Sequence, residues 1–175
     1  MDVGEGQPYT FREVYDNVFP VLYKVVYHII RDRGAAEDLC QETFIRYYNK
    51  KIPLPSIAES RYWLIRVAKN LAFNYRKRKH REQSAVERIK QERVKVQPDS
   101  QEPILKKETQ DIVKDAVDSL PVKYKTVLIL KEYGELNYRD IAKILHISEN
   151  NVKIRVFRAR VLLEKRLNIG DLYVL

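Results

Sequence analysis

Five side chains near the C-terminal end have types and spacing suited to reading a nucleic-acid groove. Asn150, Lys153, Ile154, Phe157 and Arg158 recur at i, i+3, i+4, i+7 and i+8, so a helix would carry them on one face. Amides and cations bond base edges and phosphates, and apolar groups can meet a thymine methyl. Behind them Val152, Val156, Ala159 and Leu163 form an apolar stripe. Ile141, Ala142 and Leu145 form another just upstream, with His146-Ile147-Ser148 between the two. The spacing predicts two helices joined by a tight turn, Ser148 capping the second. An amphipathic surface helix with a solvated basic side has the same pattern, and residues 138–167 alone leave both readings open.

A second constellation ends in the basic run at residues 76–81, which continues a helical pattern carrying Arg66, Lys69, Asn70, Phe73 and Asn74 on its polar side. Cations such as Arg76 and Lys77 neutralise phosphates, while Phe73 and the two amides suit the faces and edges of unstacked bases. A solvated charged face is the alternative. A third group, Asp38, Gln41 and Glu42, is acidic in a chain of net charge +9. Catalytic carboxylates need a partner acid, base or metal, and none is spaced to serve here. A docking patch for a basic partner protein is the stronger use. His28, His80, His146 and Cys40 lack metal-ligand spacing. No catalytic residue, metal or cofactor is expected.

These groups must be positioned by helices. Glycine is scarce, at 5 of 175 residues, and apolar residues repeat with helical period. One cysteine excludes an internal disulfide. No signal peptide or membrane-length apolar run is legible, so a cytoplasmic protein without membrane insertion is expected. The positive charge favours a polyanionic partner. We read an all-α fold of two small helical domains, residues 8–83 and 109–169, joined by a linker at 84–108. The linker is helical at its start and flexible or extended around residues 97–103. Its length would let the domains sit well apart on a partner.

In the first domain, Thr10 and Glu13 form a capping box before the stripe Phe11, Val14, Tyr15, Val18, Leu22, Val25 and Ile29. Pro20 should kink or interrupt that helix. Arg31-Asp-Arg-Gly34 is a stop signal. A second helix starts near Ala35, with Leu39, Cys40, Thr43, Phe44 and Tyr47 inward. A third starts near Glu59 and carries Trp63, Leu64, Val67, Ala68, Leu71 and Tyr75. In the second domain, stripes ending at Pro121 and near Gly134 precede the two-helix unit.

Three of these segments carry a family likeness. AAEDLCQETFIRYY at 35–48 resembles the region 2 signature of bacterial sigma factors of the extracytoplasmic-function group. RYWLIRVAKNLAFNYRKRKHR at 61–81 is similar to the stretch that follows it, and residues 120–167 resemble region 4. The resemblance spans nearly the whole chain in the family's order. It implies an initiation subunit of RNA polymerase, which catalyses no bond change. Asp38, Gln41 and Glu42 would dock on core RNA polymerase. Residues 70–76 would capture single-stranded bases of the opened −10 element, in a pocket made by a short break in the helix near Asn70. Asn151, Lys153, Ile154, Phe157 and Arg158 would read the −35 element of promoter DNA as duplex. An anti-sigma factor is implied as a further partner. A freestanding helix-turn-helix regulator is the runner-up, and it has no need of the acidic patch. The chain departs from the family's habits at His146, where glycine is common and a left-handed backbone is favoured. It departs also at Asn150-Asn151, Ile154 and Asn74, which puts the promoter sequence in doubt.

Overall fold

The computed structural model describes residues 9–50, 54–93 and 109–167. These form seven helices: α1 (Phe11–Ile30), α2 (Arg33–Tyr48), α3 (Ile57–Arg93), α4 (Thr109–Asp118), α5 (Val122–Glu132), α6 (Tyr138–Leu145) and α7 (Glu149–Leu167). The expected flexible stretch at 97–103 lies outside the described residues.

Helix α1 begins with the expected reciprocal cap. Thr10 Oγ1 accepts from the Glu13 N–H at 3.2 Å, and Glu13 Oε2 accepts from the Thr10 N–H at 2.6 Å. Val14, Val18, Leu22, Val25, Val26 and Ile29 form its buried stripe. Pro20 does not interrupt it. Proline deprives the Asp16 carbonyl of its helical donor, but Asp16 and Pro20 are both exposed, so water can serve that carbonyl.

The stop after α1 falls in the expected segment 31–34, at Arg31, and Gly34 lies inside α2. Arg31 itself takes the left-handed conformation, φ 57°, and its N–H closes on Tyr27 O at 2.7 Å. The turn has to reverse there because Asp32 already caps α2, accepting from the Ala35 N–H at 3.1 Å. The other Asp32 oxygen accepts from the Tyr75 hydroxyl at 3.1 Å and Lys79 Nζ at 3.0 Å. One carboxylate thus ties the α1–α2 turn to α3.

Helix α3 is 37 residues long, about 55 Å at the usual rise. It starts at Ser56, whose hydroxyl accepts from the Glu59 N–H at 3.1 Å. It runs through the basic segment and into the expected linker as far as Arg93, with no break at Asn70. The side chains it buries are Ser60, Leu64, Ile65, Ala68 and Ala72. Ser60 is satisfied by Ser56 O at 3.0 Å and by the hydroxyls of Tyr9 and Tyr47, at 3.1 and 3.0 Å. A buried hydroxyl left without partners would be destabilising.

Helices α4–α7 form the second group. Leu120, Leu128 and Ala159 make one small core beneath Tyr124, Leu162 and Leu163. The α5–α6 turn needs Gly134, because a Cβ there would lie 2.6 Å from the Leu130 carbonyl oxygen. Val127, Ile129, Leu130, Leu136, Ile141, Ala142, Ile144, Val152 and Val156 join the buried residues of α1–α3 in one continuous cluster. The two groups are therefore packed together.

Candidate nucleic-acid interface

The α6–α7 unit is a helix-turn-helix. His146 closes α6 in the left-handed conformation, φ 53° and ψ 46°, its N–H bonded to Ala142 O. A residue with a Cβ holds that backbone at some cost. Ser148 Oγ accepts from the Asn151 N–H at 3.2 Å and so starts α7. Val152, Val156 and Ala159 anchor α7 inward, which turns Asn150, Lys153, Ile154, Phe157 and Arg158 outward to solvent.

Phe157 is 68% exposed and Ile154 42% exposed. Phe157 thus protrudes beside the exposed cations Lys153 and Arg158. Lys153 pairs with Glu149 at 3.3 Å. Asn151 is half-buried, its Oδ1 accepting from Arg155 Nε at 2.9 Å. Sequence reasoning missed Tyr124. The neighbouring Arg158 guanidinium, with Lys123 adding, holds its phenol below the ordinary range.

The α3 constellation is also brought to one side. Arg66 is exposed over the Tyr62 ring, 5.8 Å from its centroid. Asn70, Asn74 and Lys77 are exposed, whereas Lys69, Phe73 and Arg76 are half-buried. Lys69 Nζ lies 5.9 Å from the Phe73 ring centroid and donates to Ile144 O at 3.3 Å. Burial lowers the Lys69 pKa. Lys69 and Phe73 line a cleft of about 470 Å³ with Val122, Ile144, His146 and Arg155. Phe73, Arg76 and Lys77 also line a smaller cleft of about 390 Å³ with Val122.

On α2, Asp38 and Gln41 are exposed. Glu42 is half-buried and pairs with Arg46 Nε at 3.1 Å. Ile45 and Tyr48, 60% and 65% exposed, extend the same edge. Their positions seven and ten residues after Asp38 are the helical signal that could have found them. Cys40 is fully buried, and burial, with Glu37 adding, pushes its thiol up to about 12. Such a thiol is unreactive at neutral pH. Among the described residues no group of three or more His, Cys, Asp or Glu is arranged to hold a metal ion. Nor is any described helix long and apolar enough to cross a membrane.

Between the two helical groups lie contacts that sequence reasoning did not anticipate. The His28 and Tyr133 rings stack with centroids 3.7 Å apart and an interplanar angle of 12°. Arg31 Nε donates to Asp118 Oδ1 at 2.9 Å, and Lys125 Nζ meets the same oxygen. Arg61 reaches Glu135 at 2.6 Å. Burial and the Arg31 charge lower the His28 pKa to about 4; Lys125 adds to this and Asp118 opposes it.

If the groups part, His28 regains an ordinary value near 6.5, so parting takes up a proton between pH 6.5 and about 4. The packed arrangement is therefore favoured above pH 6.5 and weakens as pH falls. The limit is about tenfold in the closing equilibrium per pH unit, less because the ring is partly solvated. Small-angle scattering between pH 7 and 5 should show the radius of gyration rising, with a flatter response in His28→Ala. Identical curves for both chains would assign the pH response to other groups.

A helix-turn-helix with an open polar face is thus joined to a three-helix unit bearing a basic helix and an acidic edge. The family models described as Sigma-70 region 2 and Sigma-70, region 4 match residues 14–82 and 110–163. The ECF RNA polymerase sigma factor SigM of Bacillus subtilis (strain 168) is 32% identical over 168 residues, 92% of this chain and 97% of its own. SigW of the same organism is 28% identical, over 94% of this chain and 92% of its own. The sigma factor RpoE of Bartonella quintana, solved in complex with the anti-sigma factor NepR, superposes with a TM-score of 0.70 at 22% identity. That superposition covers 91% of this chain and 97% of that one. The chain belongs to the ECF sigma factors, and is accordingly not an enzyme.

Proposed function

We propose that this chain divides the work of promoter recognition among three faces. Asp38, Gln41 and Glu42, extended by Ile45 and Tyr48, dock on core RNA polymerase. The outward face of α7, with Asn150, Asn151, Lys153, Ile154, Phe157 and Arg158, reads the −35 element as duplex. Arg66, Lys69, Asn70, Phe73, Asn74, Arg76 and Lys77 on α3 hold the opened −10 strand. Residues 84–108 connect the two readers. An anti-sigma protein restrains the factor, in keeping with the complex known for the Bartonella relative.

The observation that carries this reading is the exposure of Phe157 and Ile154 on α7 in a chain that also exposes an acidic-apolar edge on α2. A freestanding DNA-binding regulator accounts for the first but not the second. Strand capture on α3 does not need a break at Asn70. Continuous helix still presents two amides, an aromatic and several cations along one side, and separated bases expose both stacking faces and edges.

The test is transcription by purified core polymerase on sheared DNA from the source organism, with 5′ ends sequenced. Starts that depend on the added chain and share two upstream elements are expected. Tight, specific duplex binding by the free chain with no polymerase-dependent starts would overturn the reading. Once a promoter is known, Lys153→Ala and Arg158→Ala should each weaken binding to its −35 duplex. Each should also flatten log affinity against log salt by about one unit for every phosphate no longer neutralised. Unchanged slopes in both would move the reading face elsewhere on the helix-turn-helix.

A further inference from the structure

We propose that the seam between α3 and α5 binds a nucleoside polyphosphate, its base on Phe73 and its phosphates on Arg76, Lys77 and Lys123. Two adjoining clefts, of about 390 and 470 Å³, meet there and share Phe73 and Val122 as lining. Each is of a size that takes one small molecule. The smaller is lined by Arg76 and Lys77 of α3, and the larger by Lys123 of α5. Among the described residues no carboxylate lines either cleft.

Charge without an internal partner sets this seam apart from an ordinary solvated basic face. Neighbouring cations of α3 are matched, Lys79 to Asp32 at 3.0 Å and Arg78 to Glu82 at 3.7 Å. Arg76, Lys77 and Lys123 pair with no carboxylate among the described residues. Arg76 is half-buried and faces further positive charge. Burial lowers the Lys125 pKa, and the Arg31 and Arg76 charges add to this against Asp118. A half-buried guanidinium without a counter-ion is costly, and a bound anion would supply the missing charge through charge-assisted hydrogen bonds.

The aromatic ring chooses among anions. Phe73 is half-buried, and Lys69 Nζ stands 5.9 Å from its centroid. A flat ring beside a row of cations matches a ligand with a flat base at one end and several negative charges at the other. Inorganic phosphate would use the cations and leave the ring unused. Because α3 and α5 both contribute, the ligand bridges two helical groups, and its binding should raise the midpoint of thermal unfolding. The site does not depend on the role proposed for α3 in holding a DNA strand. Arg76 and Lys77 would serve both, so nucleotide and strand should exclude one another.

The test is calorimetric titration of the full-length chain with ATP, GTP and inorganic tripolyphosphate, without divalent cations. Saturable binding is expected, tighter for the nucleotides. Tripolyphosphate carries the higher charge, so tighter binding of ATP cannot come from charge alone. Arg76→Gln combined with Lys123→Gln should weaken ATP binding about tenfold or more, since two charged contacts are lost. Arg78→Gln combined with Arg139→Gln removes the same net charge from exposed residues outside the clefts. That pair should change affinity by less than about twofold, because distant exposed charges are screened. Phe73→Leu should weaken ATP about fivefold and leave tripolyphosphate unchanged. If that variant loses helical circular dichroism, ATP against tripolyphosphate on the parent chain decides the role of the ring.

Equal losses in the two charge-matched pairs would reduce the binding to general attraction by a basic chain and overturn the site. Tripolyphosphate bound more tightly than ATP would overturn it too. So would a single-stranded oligonucleotide that saturates the chain where neither nucleotide does, an outcome that leaves the strand-holding role of α3 intact.

Discussion

Replacing Asp118 by alanine is expected to cost about 2–3 kcal/mol and to loosen the packing of α4–α7 on α1–α3. One Asp118 oxygen serves both Arg31, whose side chain is 18% exposed, and Lys125, which is 11% exposed. Removing the carboxylate leaves two poorly solvated cations facing one another. The arrangement has little to spare, because Arg31 Nη2 is already buried without a hydrogen-bond partner. Burial also lowers the Lys125 pKa, which Asp118 opposes. Breaking a buried pair typically costs 3–5 kcal/mol, but Asp118 is itself 30% exposed, which places this pair at about 2–3. The midpoint of thermal unfolding should fall by about 10 °C, with the radius of gyration rising. Asp16→Ala is the control: its pair with Arg12 is 63% and 90% exposed and should contribute almost nothing. Equal midpoints for both variants would show that the Arg31–Asp118–Lys125 cluster does not hold the groups together.

The second large effect concerns polymerase. Asp38→Ala combined with Gln41→Ala is expected to lower affinity for core polymerase by about a hundredfold, roughly tenfold for each interfacial polar group deleted. Both side chains are exposed on α2, so the loss should come without loss of helicity or melting temperature. Chain-dependent transcript starts should fall in parallel, whereas binding of the free chain to −35 duplex should not change. Anisotropy with labelled chain, read once against core polymerase and once against duplex, separates the two. Equal losses in both would mean that the α2 edge and the α7 face are not distinct sites.

Local features were legible because their causes lie within a few residues. The Thr10–Glu13 cap, the Ser148 cap and the outward set on α7 all follow from helical period and short-range hydrogen bonds, whereas the left-handed backbone at His146 was expected from the family resemblance. Asp38, Gln41 and Glu42 drew attention because acidic and amide groups at helical spacing stand out in a basic chain, and the structure leaves Asp38 and Gln41 exposed. Ile45 and Tyr48 were overlooked because apolar residues next to a core stripe read as part of it. Their exposure of 60% and 65% depends on which way α2 is rolled against α1 and α3.

Where the reading went wrong, a non-local term had decided. Pro20 stays inside α1 because the carbonyl it orphans faces water, and that exposure is set by packing on the opposite side. The stop came within the expected segment 31–34, and tertiary contacts chose its residue: Asp32 caps α2 and meets Tyr75 and Lys79 of α3, so Arg31 took the left-handed turn. No break occurs at Asn70: Leu64, Ile65, Ala68 and Ala72 hold one side of α3 in the core while its polar residues continue the helix.

By itself, then, the sequence determined the helices, their caps and the chemistry each face offers, since these depend on period, side-chain type and neighbours within one turn. The tertiary structure decided which faces are free. Lys69 and Asn150 are equally good DNA-binding residues on paper, yet one is bonded to the backbone of α6 and the other lies in solvent. That difference arises from contacts such as His28 with Tyr133 and Arg31 with Asp118, between residues 105 and 87 positions apart. No periodicity links residues at such distances, so only the folded chain brings them together.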